Sequence, residues 1–120
     1  MLRFVITTTL ALCLALSAVG SAQAEDAKQV FDFYCAQCHG PEGDDKGVNG
    51  GKDFATDPRN FTVTADMEKR SDDDIRGVIK DGGPSISKSP LMPPWGATLS
   101  AAQVDGLLGH IRKLCKCKGK

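Results

Sequence analysis

The chain lacks an excess of either charge. Its 120 residues include 15 Lys and Arg and 15 Asp and Glu, which gives a formal net charge of zero. Nucleic-acid binding requires a strong basic excess, so that class is excluded. The sequence also has no internal repeat, no second domain and no convincing strand pattern, which argues against a βαβ domain. With only two histidines, any metal site that uses imidazole has few residues to choose from.

The first 24 residues differ from the remainder. They read MLRFVITTTLALCLALSAVGSAQA, with one early positive charge, an apolar stretch and a final A-x-A pattern. These three regions predict a secretory signal peptide over residues 1–24, cleaved after Ala24. A membrane anchor is the alternative, but the apolar run is short for a spanning helix, which needs about 20 residues. Residues 25–120 are therefore expected to form one exported domain without a membrane span.

The stretch CAQCH contains Cys35, Cys38 and His39 in the spacing C-x-x-C-H. This spacing is typical of covalent c-type haem attachment. Each thiol can form a thioether to one porphyrin vinyl group, and His39 then lies beneath the iron as its proximal ligand. A disulfide between the two cysteines is the alternative. A redox disulfide does not require the adjacent histidine, whereas haem iron requires an axial ligand.

The second axial position has three candidate residues: Met67, Met92 and His110. Met67 lies in the charged stretch ADMEKRS and is interpreted as a surface residue or a gap filler at a helix edge. His110 flanks the apolar stripe of the last helix and is interpreted as a packing residue. Met92 lies on a loop that Pro90, Pro93 and Pro94 stiffen, so it is the predicted ligand.

Three helices are predicted from apolar spacing and capping signals. They are expected at about Asp26 to Cys35, from an N-cap at Ser71 to Gly82 and Gly83, and from Ser100 along the stripe that ends at Leu114. Both serines have a capping-box partner three residues later. The glycine-rich segment from Gly40 to about Asn60 is expected to be a loop. Gly106 and Gly109 weaken the last helix, and we expect them to permit close approach of another helix.

Three stretches in this order resemble a small monohaem class I cytochrome c: CAQCHG after an amphipathic helix, LMPPWG, and LSAAQVDGLLGHIRKL. The resemblance implies an all-α fold of three to five helices around one covalently bound haem c. It also implies that the first and last helices cross, with Phe31 as the aromatic of the crossing. The implied function is single-electron transfer in the periplasm by a monomer that meets redox partner proteins and is not an enzyme.

The resemblance further implies contacts around the cofactor. The second ring nitrogen of His39 is expected to donate to a backbone carbonyl in the following loop, at Pro58. Arg59 is expected to pair with a haem propionate, and Trp95 is expected to pack near the haem.

The tail RKLCKCKGK departs from that family. Because no histidine follows Cys115 and Cys117, a second attached haem is excluded, and two sulfurs alone cannot complete a zinc site. A disulfide, free thiols and bonds to a partner all remain open. The basic residues from Arg112 onward either solubilise the chain or dock on an acidic partner or an anionic membrane.

Two other functions remain as alternatives. One is a haem enzyme or gas-binding protein with a labile sixth ligand, which would not need a stiff loop around Met92. The other is a haem-free thiol oxidoreductase that uses Cys35 and Cys38, which the colour of the purified protein distinguishes.

Overall fold

The computed structural model describes residues 26–51 and 57–120. The predicted signal peptide lies outside these ranges. Within them the chain forms five α-helices, one 3-10 turn and no strand, in agreement with the predicted all-α class. The helices are α1 (Ala27–Tyr34), α2 (Ala36–His39), α3 (Thr64–Met67), α4 (Asp72–Asp81) and α5 (Ala101–Cys115), and the 3-10 turn is Gly83–Ile86. None of these described helices is long and apolar enough to cross a membrane.

The three helices predicted from the sequence begin where they were expected, each at a capping residue. The Asp26 carboxylate accepts a hydrogen bond from the backbone N–H of Lys28 at 3.0 Å and so caps α1. Ser71 and Ser100 each form a reciprocal capping box, with Asp74 and Gln103 respectively. Such boxes satisfy two backbone N–H groups that would otherwise lack partners. The sequence prediction of these three helix starts is confirmed.

Helices α1 and α5 pack against each other, as expected from the predicted crossing of the first and last helices. A Cβ on Gly106 would lie 3.3 Å from the Ala27 Cβ, so this glycine permits the close approach. A Cβ on Gly109 would meet no atom within 4 Å, so the expectation that Gly109 also permits close approach of another helix is wrong. Phe31 is fully buried at the crossing, and its ring lies 4.8 Å from that of His110. Burial of such apolar side chains is the main stabilising contribution to a domain of this size.

The core extends further than the sequence predicted. Met67 ends the helical turn α3 and is 2% exposed, so its interpretation as a surface residue is wrong and the gap-filler alternative holds. Cys115 is 0% exposed, so the core continues one residue beyond Leu114. The Thr64 hydroxyl donates to the Cys115 carbonyl at 2.7 Å and joins α3 to the end of α5.

The cysteines of the tail form a disulfide between Cys115 and Cys117. Beside it, Arg112 is turned inward with 12% of its side chain exposed. Its guanidinium donates to the Asp72 carboxylate at 2.9 Å and to the carbonyls of Met67 and Arg70 at 2.9 and 2.7 Å. Arg112 therefore holds the end of α5 against the start of α4, and it is not one of the charges available to a partner.

Candidate haem site

The C-x-x-C-H motif occupies one helical turn. The Cys35 N–H closes α1 by donating to the Phe31 carbonyl at 2.8 Å, and α2 then carries Cys38 and His39. The His39 N–H donates to the Cys35 carbonyl at 2.9 Å. Residues three and four apart on a helix are neighbours on one face. Both thiols are free, so the pair does not form the alternative disulfide.

The imidazole of His39 is held from two sides. Its Nδ1 lies 2.9 Å from the Arg59 carbonyl oxygen. Because a carbonyl only accepts, Nδ1 must carry the proton, and the lone pair of the neutral ring is then on Nε2. The Phe61 ring stacks on the imidazole with centroids 4.4 Å apart and planes 19° apart. The predicted carbonyl partner was Pro58, and the structure corrects this by one residue to Arg59.

Burial shifts the acid–base behaviour of the motif. It lowers the pKa of His39, an effect that the hydrogen bond to Arg59 partly opposes. The neutral ring is the form that ligates a metal. Burial raises the pKa of the Cys35 thiol to about 12, and the nearby Cys38 adds to the shift. A nucleophilic cysteine needs the opposite shift.

The loop after the motif folds back onto it. The Asn49 N–H donates to the Gln37 carbonyl at 2.7 Å, and the Asp45 N–H donates to the His39 carbonyl at 2.9 Å. The loop approaches so closely that a Cβ on Gly47 would overlap the backbone of Gln37 and Cys38. The sequence indicated a loop here, but it gave no sign that the loop packs on the motif.

Met92 is half-buried on a segment that is attached to the end of α4. The Gly83 N–H donates to the Met92 carbonyl at 2.9 Å, and the Trp95 N–H donates to the Ile79 carbonyl at 3.0 Å. Gly82 has a φ of +79°, and a Cβ there would lie 2.9 Å from the Met92 carbonyl oxygen. From the sequence, Gly82 and Gly83 were interpreted only as the end of a helix. The structure adds that the Met92 segment packs directly against both glycines.

The two predicted haem contacts have other partners in the protein. The guanidinium of Arg59 lies 3.8 Å from the Asp66 carboxylate and is 44% exposed. The Trp95 ring packs edge to face on Tyr34, with centroids 5.1 Å apart. Because Tyr34 precedes Cys35, this contact brings the indole next to the attachment motif. Contact of Arg59 with a propionate and of Trp95 with the haem stay predictions.

His110 has the environment of a packing residue. Its ring contacts Phe31 at the helix crossing, and within the described ranges its buried Nε2 has no hydrogen-bond partner. Burial lowers its pKa. These contacts support the packing interpretation.

The family model described as cytochrome C oxidase, cbb3-type, subunit III matches residues 22–111. The chain belongs to this family. It is a small c-type cytochrome with the all-α cytochrome c fold, and the predicted resemblance is confirmed. Membership implies a covalent haem c and haem-based electron transfer. No curated protein matches the chain.

Among solved structures, this c-type cytochrome is similar to a chain of the Kuenenia stuttgartiensis reducing HAO-like protein complex Kustc0457/Kustc0458. The TM-score is 0.58 and the sequence identity is 30%. The match covers 75% of this chain but 41% of the other, so the cytochrome spans less than half the length of that relative.

The residues of the motif fit the haem c that the family implies. Two free thiols lie three positions apart at one helical turn, as two thioethers require. The adjacent imidazole has its Nδ1 engaged by a carbonyl, which leaves Nε2 as its donor atom. A metal-ligating histidine usually donates its other N–H in this way.

Proposed function

We propose that the chain is a periplasmic electron carrier that holds one haem c through Cys35 and Cys38, with His39 and Met92 as axial ligands. The observation that carries this proposal is the His39 imidazole, whose Nδ1 is fixed on the Arg59 carbonyl beside two free thiols. When bound, the haem supplies a one-electron ferric/ferrous couple. Export through the signal peptide at residues 1–24 is part of the proposal, and it suits thioether chemistry outside the cytoplasm.

The protein's part in this function is to hold two ligands in place. The hydrogen bond from Nδ1 to Arg59 increases the electron donation of His39. The Met92 thioether raises the reduction potential relative to a second histidine. Attachment of the Met92 segment to α4 limits its movement between oxidation states. Little reorganisation and a closed sixth position are what an electron carrier needs.

The thiol oxidoreductase alternative is disfavoured by the environment of Cys35. Burial raises the pKa of this thiol to about 12, so it is protonated at neutral pH. The attacking species in thiol–disulfide exchange is the thiolate, whose formation requires a lowered pKa. The haem enzyme alternative differs in the sixth coordination position of the iron, which in an enzyme is open or holds a ligand that exchanges readily.

The first experiment is expression in a host with c-type haem maturation. We expect one haem per chain that resists acid–acetone extraction, a low-spin visible spectrum and a reversible one-electron couple. Cell fractionation should recover the protein in the periplasm, as a monomer by size exclusion. Freely extracted haem would overturn the attachment. Rapid carbon monoxide binding by the reduced wild type together with peroxide turnover would favour the enzyme alternative.

A further inference from the structure

We propose that Asn60 and Phe61 are positioning residues for His39, and that they set the orientation of its imidazole and thereby the reduction potential of the iron. This inference rests on the proposed function, since it takes His39 to be an axial ligand. Both residues act through the histidine: Phe61 stacks on its ring, and Asn60 is bonded to the loop that holds its backbone.

A closed circuit of hydrogen bonds surrounds His39. Its Nδ1–H donates to the Arg59 carbonyl at 2.9 Å, and its own carbonyl accepts from the Asp45 N–H at 2.9 Å. The Asn60 amide nitrogen then donates to the Asp45 carboxylate at 3.2 Å. Because residues 59 and 60 are adjacent, these three bonds form a ring. The histidine is therefore held at its side chain and its backbone by two segments that are bound to each other.

Both the nitrogen and the oxygen of the Asn60 amide form hydrogen bonds. The nitrogen also donates to the Asp44 carbonyl at 3.2 Å. The oxygen accepts from the N–H of Thr62 at 2.9 Å and from its hydroxyl at 2.6 Å. An amide supplies a donor and an acceptor at once, which a carboxylate or an alkyl side chain does not. Asn60 is therefore the residue that fixes the direction of the preceding carbonyl.

Phe61 fixes the ring itself. It stacks on the imidazole with centroids 4.4 Å apart, and it meets the buried Phe31 edge to face at 6.2 Å. Its N–H donates to the Gly43 carbonyl at 2.7 Å, which anchors it to the loop after the motif. The stack covers one face of His39 and restricts its rotation.

The direction of the effect follows from electron donation. A well-aligned bond from Nδ1–H makes the imidazole a stronger donor, and a stronger donor stabilises ferric iron. Loosening the circuit weakens that bond. The reduction potential should therefore rise, and the Nδ1 proton should exchange more readily with solvent.

The test uses the holoprotein, with Asn60→Ala and Phe61→Leu as the loosening variants. Solvent exchange of the His39 Nδ1–H is measured by NMR in the ferrous state, together with the reduction potential. We expect exchange to accelerate about fivefold, the change that corresponds to one net hydrogen bond, and the potential to rise. Phe61→Tyr, which keeps the stack, should behave as wild type.

Phe33→Leu is the matched control, because Phe33 is 73% exposed on α1 and contacts Tyr34 rather than His39. It should leave both measurements unchanged. Should Phe61→Leu fail to fold, Thr62→Ala is the alternative variant, because it removes an exposed hydrogen bond to Asn60. It should raise the exchange rate and the reduction potential by less than Asn60→Ala does. Variants with bound haem and wild-type exchange and potential would overturn this proposal alone. A wild type without an axial histidine would overturn the proposed function as well.

Discussion

The two segments that carry the proposed ligands are held in different ways. His39 is hydrogen-bonded to the Arg59 carbonyl and the Asp45 N–H, and the side chains of Asn60 and Phe61 hold this arrangement in place. Met92 is fixed by backbone hydrogen bonds to the end of α4, where Gly83 donates to its carbonyl. The segment around His39 should therefore respond to the loss of side-chain groups. The methionine side should respond instead to added bulk at the glycines.

The largest expected effect is loss of the covalent bonds that both segments surround. Cys35→Ala combined with Cys38→Ala should abolish stable holoprotein, because no thioether can form. Haem absorbance and intact mass of the purified protein measure this. Cys115→Ala with Cys117→Ala is the matched control and should retain haem. Haem that stays covalently bound in the first variant would contradict the attachment.

The second-largest expected effect is the change in reduction potential and iron ligation when Met92 is replaced. Met92→Ala should lower the reduction potential, since a soft thioether favours ferrous iron. It should also erase the near-infrared band of ferric methionine ligation and open the iron to carbon monoxide. Met67→Leu and His110→Phe, which keep core volume, should leave the band intact. A band that survives Met92→Ala but changes in His110→Phe would show the ligand assignment to be wrong.

Added bulk should displace the same segment without removing its sulfur. A Cβ on Gly83 would overlap the Ser89 carbonyl oxygen, whereas a Cβ on Gly77 meets no atom within 4 Å. Gly83→Ala should therefore weaken the near-infrared band and lower the Tm while the haem stays attached. Gly77→Ala should keep the band and stabilise α4 by up to about 1 kcal/mol. Equal spectra for the two variants would refute the role of the glycine pair.

A smaller effect is expected at the tail. The disulfide closes the end of α5, and Arg112 Nη1 lies 3.5 Å from the Cys117 sulfur. Replacing both tail cysteines by Ala should cost about 1–3 kcal/mol of the free energy of unfolding, from the lost cross-link and the emptied Cys115 site. Thermal denaturation measures it. The reduction potential should stay at the wild-type value, and a large spectral shift would mean that the tail contacts the haem.

The smallest effect is a pH dependence at His110. Burial lowers its pKa below the ordinary value of 6.5 in the folded chain, so the unfolded chain binds the proton first as the pH falls. Stability should therefore decrease as the pH falls through about 6.5, and the loss should end below the folded pKa. The charged groups that modulate this shift are Asp26, Lys28, Asp32 and Lys113.

His110→Phe should flatten this part of the stability profile, as urea denaturation of the holoprotein at several pH values would measure. In the holoprotein His39 does not add to the slope, because under the proposed function its ring is ligated. An unchanged slope in the variant would assign the dependence to another group.

Local signals in the sequence account for much of this molecule. The caps at Ser71 and Ser100 depend on residues three positions away, so they could be predicted. The attachment motif is likewise contained within five residues. The sequence missed contacts between distant segments, such as Arg112 with Asp72 and Thr64 with Cys115. Apolar spacing does not encode such pairs, which depend on how whole helices meet.

At the candidate haem site, too, local features could be predicted and contacts between distant segments could not. That His39 donates to a carbonyl in the following loop was predicted, but the residue was off by one. In an extended segment, successive carbonyls point in opposite directions. The choice between Pro58 and Arg59 therefore depends on the path of the loop, which Asn60 and Phe61 fix through their own contacts. Those two residues carry no motif, and only the folded arrangement identifies them.

A redox titration of the wild-type holoprotein, followed in the near-infrared and visible regions, examines ligation by Met92 and electron transfer in one experiment. We expect one haem per chain, a single one-electron transition, and a ferric methionine band that disappears on reduction in step with the visible change. A ferric form without that band, or a reduced form that binds carbon monoxide at once, would contradict ligation by Met92 and the electron-carrier function with it.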